Sequence, residues 1–260
     1  MAIRFKMRPG LVAYITCGDP DLDTSREVAL AAVRSGADVI ELGVPFSDPV
    51  ADGPVIQRAS ERALQHGTNL GGVLDVAKQI RSQSGAGLVI FSYLNPILQF
   101  GLDEFCSAAA ASGVDGVLVT DLPMEEASDY LRAMKAHKLA PIFLAAPTST
   151  DERLRQIARH SRGFVYAISR TGITGTRQEL AGDARSLVEH LRTYTKLPIA
   201  VGFGVSTPEQ FAEVGSFADA AVIGSAIVQR IEQNRGREAV AVSEFLSSLV
   251  ATGRPAGAHA

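Results

Sequence analysis

The chain has 260 residues, of which 46% are hydrophobic and 20% charged, and its formal net charge is −3. This length and mixture are typical of one compact domain, and barrels of this size routinely form single domains. A slightly acidic chain with no basic patch excludes nucleic acid and anionic membrane surfaces as expected partners. No apolar run of about 18 or more residues is free of polar groups, so we expect no membrane-spanning helix.

The cysteines and histidines indicate a reduced protein without a metal. Cys17 and Cys106 lie far apart in the sequence, without metal-ligand spacing, and both are expected to be small buried side chains in a reducing cytoplasm. The five histidines fall in predicted helices or in the tail, and no two have ligand spacing, so no metal site is expected. The N-terminus lacks the long apolar centre of a signal peptide, which also predicts a cytoplasmic protein.

Short β-branched runs alternate with longer segments of helical periodicity, as in strand–helix units around a parallel sheet. The predicted strands are Val12–Thr16, Asp38–Leu42, Leu88–Ser92, Gly116–Val119, Pro141–Ala145, Phe164–Ile168, Pro198–Val201 and Ala220–Ile223. An acid three residues after a hydroxyl predicts capped helix starts at Thr24, Ser149 and Ser206.

The number of these units indicates the fold class. Eight strands with eight helices fit an α/β fold of the (β/α)8 TIM barrel type better than a doubly wound sheet. The glycine-rich dinucleotide turn expected after the first strand of a doubly wound sheet is absent, although that fold stays open as the alternative. We therefore predict a single barrel domain over residues 1–250 and a flexible Gly-, Pro- and Ala-rich tail over 251–260.

The loop after the second predicted strand carries three carboxylates, in the run ELGVPFSDPVADGPVIQ from Glu41 to Gln57. Glu41 ends the strand on the same face as Val39, so it is expected to face an apolar interior. Desolvation there would raise the pKa of the carboxyl, which suits a group that gives and takes a proton near neutral pH. No Lys or Arg lies between residues 38 and 57 to pair with Glu41. Asp52 precedes a glycine, and Asp-Gly pairs are common in turns, so the local sequence leaves both a turn role and a catalytic role open for Asp52.

Two glycine-containing turns predict a phosphate site. Gly202-Phe203-Gly204 follows the seventh strand and Gly224-Ser225 follows the eighth, where barrels frequently bind phosphate with backbone N–H groups and a helix N-terminus. Simple tight turns are the alternative for these glycines. The loop over 169–175, after the sixth strand, contains Gly172 and Gly175, which could act as hinges, and it predicts a mobile lid. An ordinary flexible connection is the alternative.

Taken together, these motifs resemble the α subunits of tryptophan synthase over nearly the whole chain. The matching segments are Gly18–Pro20, Glu41–Pro49, Ala51–Pro54, Gln57, Tyr93–Pro96, Asp121–Pro123, Tyr166, Ser169–Arg170, Gly172–Gly175, Gly202–Gly204 and Gly224–Ser225. The resemblance implies retro-aldol cleavage of indole-3-glycerol phosphate to indole and glyceraldehyde 3-phosphate. It makes Glu41 the general acid–base group and Asp52 the carboxylate that accepts the indole N–H.

The resemblance also implies the remaining site residues. It places Tyr14, Tyr93 and Tyr166 around the indole, with Tyr14 at a position that is usually Phe in the family. Further substrate-binding residues would be Thr174, Gly175, Phe203, Gly204, Gly224 and Ser225. Family members usually carry a short helix before the first strand, and its absence here predicts a less completely filled barrel bottom.

For partners, the resemblance implies a tryptophan synthase β subunit in an α2β2 heterotetramer. Pro45 and Asp48 would face it, and pyridoxal phosphate would be held by that subunit, with no cofactor in this chain. Three other functions stay open: a sugar-phosphate isomerase or other indole-glycerol-phosphate enzyme, a regulatory subunit that activates a partner, and a stand-alone lyase that releases free indole. The Glu41 and Asp52 pair argues against the first of these.

Overall fold

A computed structural model describes residues 3–168, 177–202 and 204–253, with the backbone alone for 177–181 and 253. Its strands are β1 (Gly10–Thr16), β2 (Val39–Gly43), β3 (Gly87–Ser92), β4 (Gly116–Val119), β5 (Ala140–Ile142), β6 (Leu144–Ala145), β7 (Val165–Ile168), β8 (Ile199–Gly202) and β9 (Ala220–Ile223). All of their pairings are parallel, in the order β5-β4-β3-β2-β1-β9-β8-β7-β6.

The two ends of this order are neighbouring segments of the chain, so the sheet closes on itself. β5 pairs with β4 and β6 pairs with β7, and only Phe143 separates the two segments. The Phe143 carbonyl accepts a hydrogen bond from Tyr166 N at 3.1 Å, which continues the pairing across the break. The predicted (β/α)8 barrel is therefore confirmed, with its fifth strand divided in two.

Helices cover the outside of the barrel. The described residues form α1 (Leu22–Arg34), α2 (Pro54–Gln65), α3 (Leu70–Arg81), α4 (Leu94–Phe100), α5 (Leu102–Ala111), α6 (Ser128–Ala136), α7 (Asp151–His160), α8 (Arg177–Arg192), α9 (Pro208–Phe217), α10 (Ser225–Gln233) and α11 (Glu238–Gly253), with a 3-10 turn at Met124–Glu126. The expectation of one helix after each strand is wrong in three places, because two helices follow β2, β3 and β9. α11 runs three residues into the segment predicted as a tail. Within the described ranges, every helix is too short or too polar to cross a membrane.

The predicted helix caps are displaced from the observed ones. The α1 cap is Asp21, whose carboxylate accepts from Thr24 N at 2.7 Å, because an Asp three residues earlier reaches the free N–H groups first. Thr150 caps α7 in place of Ser149, whose hydroxyl instead accepts from Ala146 N in the preceding turn. Thr207 and Gln210 form the capping box of α9, one residue beyond the predicted pair.

The core has two shells because the strands are buried on both faces. Val12, Val39, Val89 and Phe164 point into the barrel, while their sequence neighbours pack against the helices. Such double burial is typical of parallel sheets and makes the strand sequences apolar throughout.

The bottom of the barrel is filled, contrary to expectation. Ile3 belongs to the interior cluster with 8% of its surface exposed, and the Phe5 ring packs edge-on against Phe164 at 5.9 Å between centroids. An extended segment therefore supplies the apolar contacts there without a helix. This follows from two apolar side chains at alternate positions, which an extended chain places on one face.

Candidate active site

Glu41 lies inside the top of the barrel with none of its surface exposed. β2 holds it between Tyr14 of β1 and Val89 of β3 in the strand register. Both carboxyl oxygens are buried and have no hydrogen-bond partner among the described residues. Burial raises the pKa of Glu41 from 4.5 to about 8. The structure thus holds a protonated carboxyl at neutral pH in a position to act on something that enters the barrel.

Asp52 lies in the loop between β2 and α2, half-buried, where Tyr93 holds its carboxylate. The Tyr93 hydroxyl donates to Asp52 Oδ2 at 3.1 Å and accepts from Ala51 N at 3.0 Å. Burial raises the pKa of Asp52 from 3.8 to about 6, and the Tyr93 hydrogen bond opposes that rise. At neutral pH the two acids therefore differ in state, Glu41 protonated and Asp52 ionised, as a general acid and a stabilising anion require.

The Asp52 loop is anchored by a residue to which sequence reasoning gave no role. Gln57, one turn into α2, donates through Nε2 to the Asp52 carbonyl at 2.9 Å and to the Pro49 carbonyl at 3.4 Å. Asp52 N in turn donates to the Pro49 carbonyl at 3.0 Å. The only sequence signal was the place of Gln57 within the resembling run, because an amide in a first helical turn is ordinary.

Aromatic rings surround Glu41 in the upper layer of the barrel. Tyr14 packs edge-on against Phe91 at 5.1 Å, and its hydroxyl lies 3.4 Å from Thr16 Oγ1. Burial raises the pKa of Tyr14 and of Tyr166 well above the usual value, and the Asp52 and Glu41 charges add to both effects. The two phenols are therefore neutral, and they lie close enough to both carboxyls for the carboxylate charges to affect their pKa values.

Two glycines make room for these phenols. A Cβ at Gly43 would overlap the Tyr14 hydroxyl, and a Cβ at Gly202 would lie 2.8 Å from the Tyr166 hydroxyl oxygen. Gly202 was predicted as part of a phosphate turn, and here it also accommodates an aromatic side chain.

Of the two helix starts near the predicted phosphate turns, that of α10 has no side-chain cap among the described residues. Gly224 is the N-cap of α10 and makes no side-chain cap bond, Ser225 is exposed in the first turn, and no acid occurs there. The α9 start is occupied, since Gln210 Oε1 accepts from Ser206 N at 2.8 Å and from Thr207 N at 3.2 Å. Gly204 has a left-handed φ of 79° and an open space where a Cβ would be. An anion would therefore meet the α10 N-terminus and the Gly204 turn.

Three predicted site residues, Thr174, Gly175 and Phe203, lie outside the described residues, as does the predicted lid over 169–175.

The predicted partner-facing residues lie at the same end of the barrel. Pro45 is buried beside a cavity of about 450 Å³, and Asp48 is exposed in the Asp52 loop. Val50 in that loop is 77% exposed, and Leu98 and Phe100 of α4 are 55% and 38% exposed. These are three of the four large hydrophobic side chains that the described residues expose.

The sequence profile described as tryptophan synthase alpha chain matches residues 1–252. The chain belongs to the tryptophan synthase alpha chain family. A curated alpha chain from Solibacter usitatus is 55% identical over 227 residues, with 87% of this chain and 85% of the relative covered. The alpha chain from Geobacter sulfurreducens is 46% identical over 251 residues, covering 95% and 94%.

Solved structures of the family share the fold. A tryptophan synthase from Mycobacterium tuberculosis aligns with a TM-score of 0.88 at 38% identity, covering 95% of this chain and 93% of that one. The alpha subunit from Legionella pneumophila aligns with a TM-score of 0.87 at 37% identity, covering 94% and 92%. The chain is accordingly a carbon–carbon lyase of tryptophan biosynthesis with indole-3-glycerol-phosphate aldolase activity.

The described residues contain no group of three or more His, Cys, Asp or Glu that could hold a metal ion. Cys17 and Cys106 are free thiols, both fully buried, as expected.

Proposed function

We propose that the chain cleaves indole-3-glycerol phosphate by a retro-aldol reaction with Glu41 as general acid–base and Asp52 as the stabilising carboxylate. The observation that carries this proposal is the Glu41 carboxyl, fully buried with both oxygens unpartnered among the described residues. A buried polar group without a partner is expensive, and it persists where a ligand supplies the partner.

Glu41 both gives and takes a proton in this scheme. Its carboxyl protonates indole C3, which places positive charge on the ring and leaves Glu41 as a carboxylate. That carboxylate then takes the proton of the neighbouring glycerol hydroxyl, the C–O bond becomes the aldehyde, and the electrons of the broken C–C bond return to the indole. The Glu41 carboxyl is restored at the end, and a pKa of about 8 lets it serve in both directions near neutral pH.

Asp52 acts on the other side of the ring. Its carboxylate accepts the indole N–H, which grows more acidic as C3 gains the proton, and so stabilises the charge that develops in the transition state. The Tyr93 hydrogen bond at 3.1 Å fixes that carboxylate and favours its ionised form. Tyr14 and Tyr166 would contact the indole, while the α10 N-terminus and the Gly204 turn would hold the phosphate.

The test is release of indole and glyceraldehyde 3-phosphate by the purified chain, beside Glu41→Gln and Asp52→Asn. Positioned proton transfer is worth a factor of about 10² to 10⁴, so Glu41→Gln should lose at least about 100-fold in kcat. Glu104→Gln, in the exposed first turn of α5, is the matched control and should retain full activity. Cleavage by Glu41→Gln at the unaltered rate would refute the assignment.

We further propose that the exposed apolar end of the barrel binds a tryptophan synthase β subunit, which would hold pyridoxal phosphate, in an α2β2 heterotetramer. Two observations support this surface: Val50 is 77% exposed within the loop that carries Asp52, and Phe100, also exposed, lines the same cavity as Pro45. A partner bound there would contact the catalytic loop directly, so binding and cleavage would be coupled.

Val50→Asp tests that surface, with Val240→Asp of α11 as its control, since Val240 is a second exposed valine at 47% exposure. We expect Val50→Asp to weaken binding of a β subunit in sedimentation experiments and to reduce its acceleration of indole release, and Val240→Asp to change neither. Equal effects of the two variants would rule out the surface. Fast cleavage by the chain alone, with no acceleration by a β subunit, would point to the stand-alone lyase.

A further inference from the structure

A second cavity, of about 620 Å³, opens at the bottom of the barrel, at the opposite end from Glu41. It lies between the ends of α6 and α7 and the starts of β5 and β7. Ile3, Leu131 and Leu139 give it an apolar wall, and Lys135, Lys138 and Arg162 surround it with positive charge. Its volume falls within the roughly 300–1,000 Å³ of small-molecule sites. The proposed function makes no use of it.

The cavity is lined by more cations than acids, and its three cations, Lys135, Lys138 and Arg162, are exposed to solvent. Its one acid, Asp115, is 7% exposed and accepts from Arg81 Nη2 at 2.6 Å and Leu88 N at 2.9 Å through the same oxygen. Lys135 and Lys138 form no ion pair with any described residue.

The other two basic side chains of the cavity are held close to the lysines. Arg162 Nη1 donates to the carbonyl oxygens of Arg159 at 2.9 Å and Ser161 at 2.7 Å, which fixes its guanidinium beside the cavity. Burial lowers the pKa of His160, and the charges of Arg159 and Arg162 lower it further. The ligand group that this set of cations would attract is an anion.

Lys138 occupies a position where glycine is favoured. Leu139 N donates to Met134 O at 2.9 Å and Lys138 N donates to Lys135 O at 3.3 Å, so the chain closes α6 with Lys138 at a left-handed φ of 58°. Helices commonly end on glycine at such a position, because a Cβ is strained there. The helix dipole accounts for cations in the last turns of α6 and α7, but not for a lysine in this conformation.

We propose that the bottom cavity binds a small amphipathic anion, an apolar body that bears one carboxylate, phosphate or sulfonate group. The acidic group would lie against Lys135, Lys138 and Arg162, and the apolar body against Ile3, Leu131 and Leu139. This site is separate from the active site and does not depend on the chemistry proposed there.

The probe is 2-naphthoate, titrated into the full chain and followed by the backbone amide NMR signals. We expect saturable shifts confined to residues 131–141 and 160–163, and binding of uncharged 2-naphthalenemethanol at least about tenfold weaker. Shifts only around the active site, or none at millimolar probe, would overturn the proposal. Equal binding of the uncharged analogue would overturn the anion as the recognised group.

Lys138→Gly separates binding from folding, because the two effects should have opposite signs. Relief of the left-handed strain should raise Tm by about 2–4 °C, while loss of one cation should weaken 2-naphthoate binding by about fivefold. Lys135→Gln combined with Arg162→Gln should weaken it by roughly tenfold or more, and the exposed Lys78→Gln of α3 should leave it unchanged. Unaltered binding in Lys138→Gly and in the double variant would refute the site.

Discussion

The Glu41 carboxyl is fully buried and has no hydrogen-bond partner among the described residues, so ionising it would destabilise the folded chain. Its pKa is about 8 in the folded chain and ordinary in the unfolded chain. Below the ordinary value both states hold the proton and the group contributes nothing. As the pH rises from there to about 8, the unfolded state loses the proton more readily, so the native state is progressively destabilised relative to a neutral residue.

Glu41→Gln should therefore be less active than the wild-type chain but more stable, by an amount that depends on pH. The gain in free energy of unfolding over the wild-type chain should be smallest near pH 5 and grow to the order of a few kcal/mol by pH 8. Urea unfolding at pH 5, 6.5 and 8 measures it. A difference between the two chains that stays constant over this range would show that Glu41 has no raised pKa.

The pH dependence of cleavage should report both carboxyls. The proposed mechanism needs Asp52 ionised and Glu41 protonated, so kcat/KM should rise as the pH passes about 6 and fall as it passes about 8. Tyr93→Phe removes the hydrogen bond that lowers the Asp52 pKa, so the acid limb should move to higher pH while the alkaline limb stays. Tyr130→Phe is the control, because that buried hydroxyl donates to Val117 O in the outer shell. If the acid limb stayed at the same pH in Tyr93→Phe, it would not report the titration of Asp52.

Sequence reasoning reached the residues whose position follows from local pattern. Glu41 could be placed inside the barrel because side chains alternate along a strand and Val39 fixes the phase. The Tyr93–Asp52 hydrogen bond could not be foreseen from the residues, since 41 positions separate the partners and only the pairing of β2 with β3 brings the ends of the two strands together. The role of Gln57 was missed for a different reason. In the sequence, a glutamine that binds a loop looks the same as any other glutamine in a first helical turn.

At the scale of elements, a charge network joins the loop after β1 to α2 and α10. The Asp19 side chain is 1% exposed and accepts from Arg62 Nε at 2.9 Å and Nη2 at 2.7 Å, and from Arg235 Nη2 at 3.0 Å. Arg62 also donates to Glu232 of α10 at 2.8 Å. α2 follows the Asp52 loop and α10 begins at the predicted phosphate turn, so this network connects the two parts of the proposed site.

Arg62→Met should destabilise the chain and also loosen the site. Removing the main partner of a buried carboxylate should lower the free energy of unfolding by about 2–3 kcal/mol, at the low end for such a loss because Arg235 keeps one bond to Asp19. We expect a raised KM as the loop and the phosphate turn lose their fixed separation. Arg58→Met, which removes an exposed partner of Glu232, should change neither quantity appreciably. Equal behaviour of the two variants in unfolding and kinetics would show that Asp19 needs no arginine.

The strands were predictable and the caps were not, for one physical reason. A strand is specified by several consecutive apolar residues, so errors of one residue at its ends leave it recognisable. A cap is specified by a single side chain, and Asp21, Thr150 and Thr207 compete with neighbouring hydroxyls of similar chemistry. The break at Phe143 likewise lay within a continuous apolar run that showed no sign of it.

For the whole molecule, the barrel places the proposed catalytic side chains at one end and the apolar contacts of the N-terminal segment at the other. Glu41, Asp52 and the α10 start gather at the C-terminal ends of the strands, as in barrel enzymes generally. The opposite end is closed by Ile3 and Phe5, where neither carboxyl is in reach. The lack of an N-terminal helix predicted a poorly filled barrel bottom. Ile3 and Phe5, at alternate positions of the chain, fill it without a helix.

Ile3→Ala should accordingly affect stability and leave catalysis intact. The side chain is 8% exposed and packs against the interior cluster, so its truncation should lower the free energy of unfolding by about 2–3 kcal/mol. kcat/KM for indole release should stay within a factor of about two, because the upper layer of the barrel keeps its own packing. Denaturant unfolding and steady-state kinetics on the same preparation measure both quantities. If kcat/KM fell in proportion to stability, the two ends of the barrel would be mechanically coupled, and the site would depend on the bottom contacts as well as on its own strand ends.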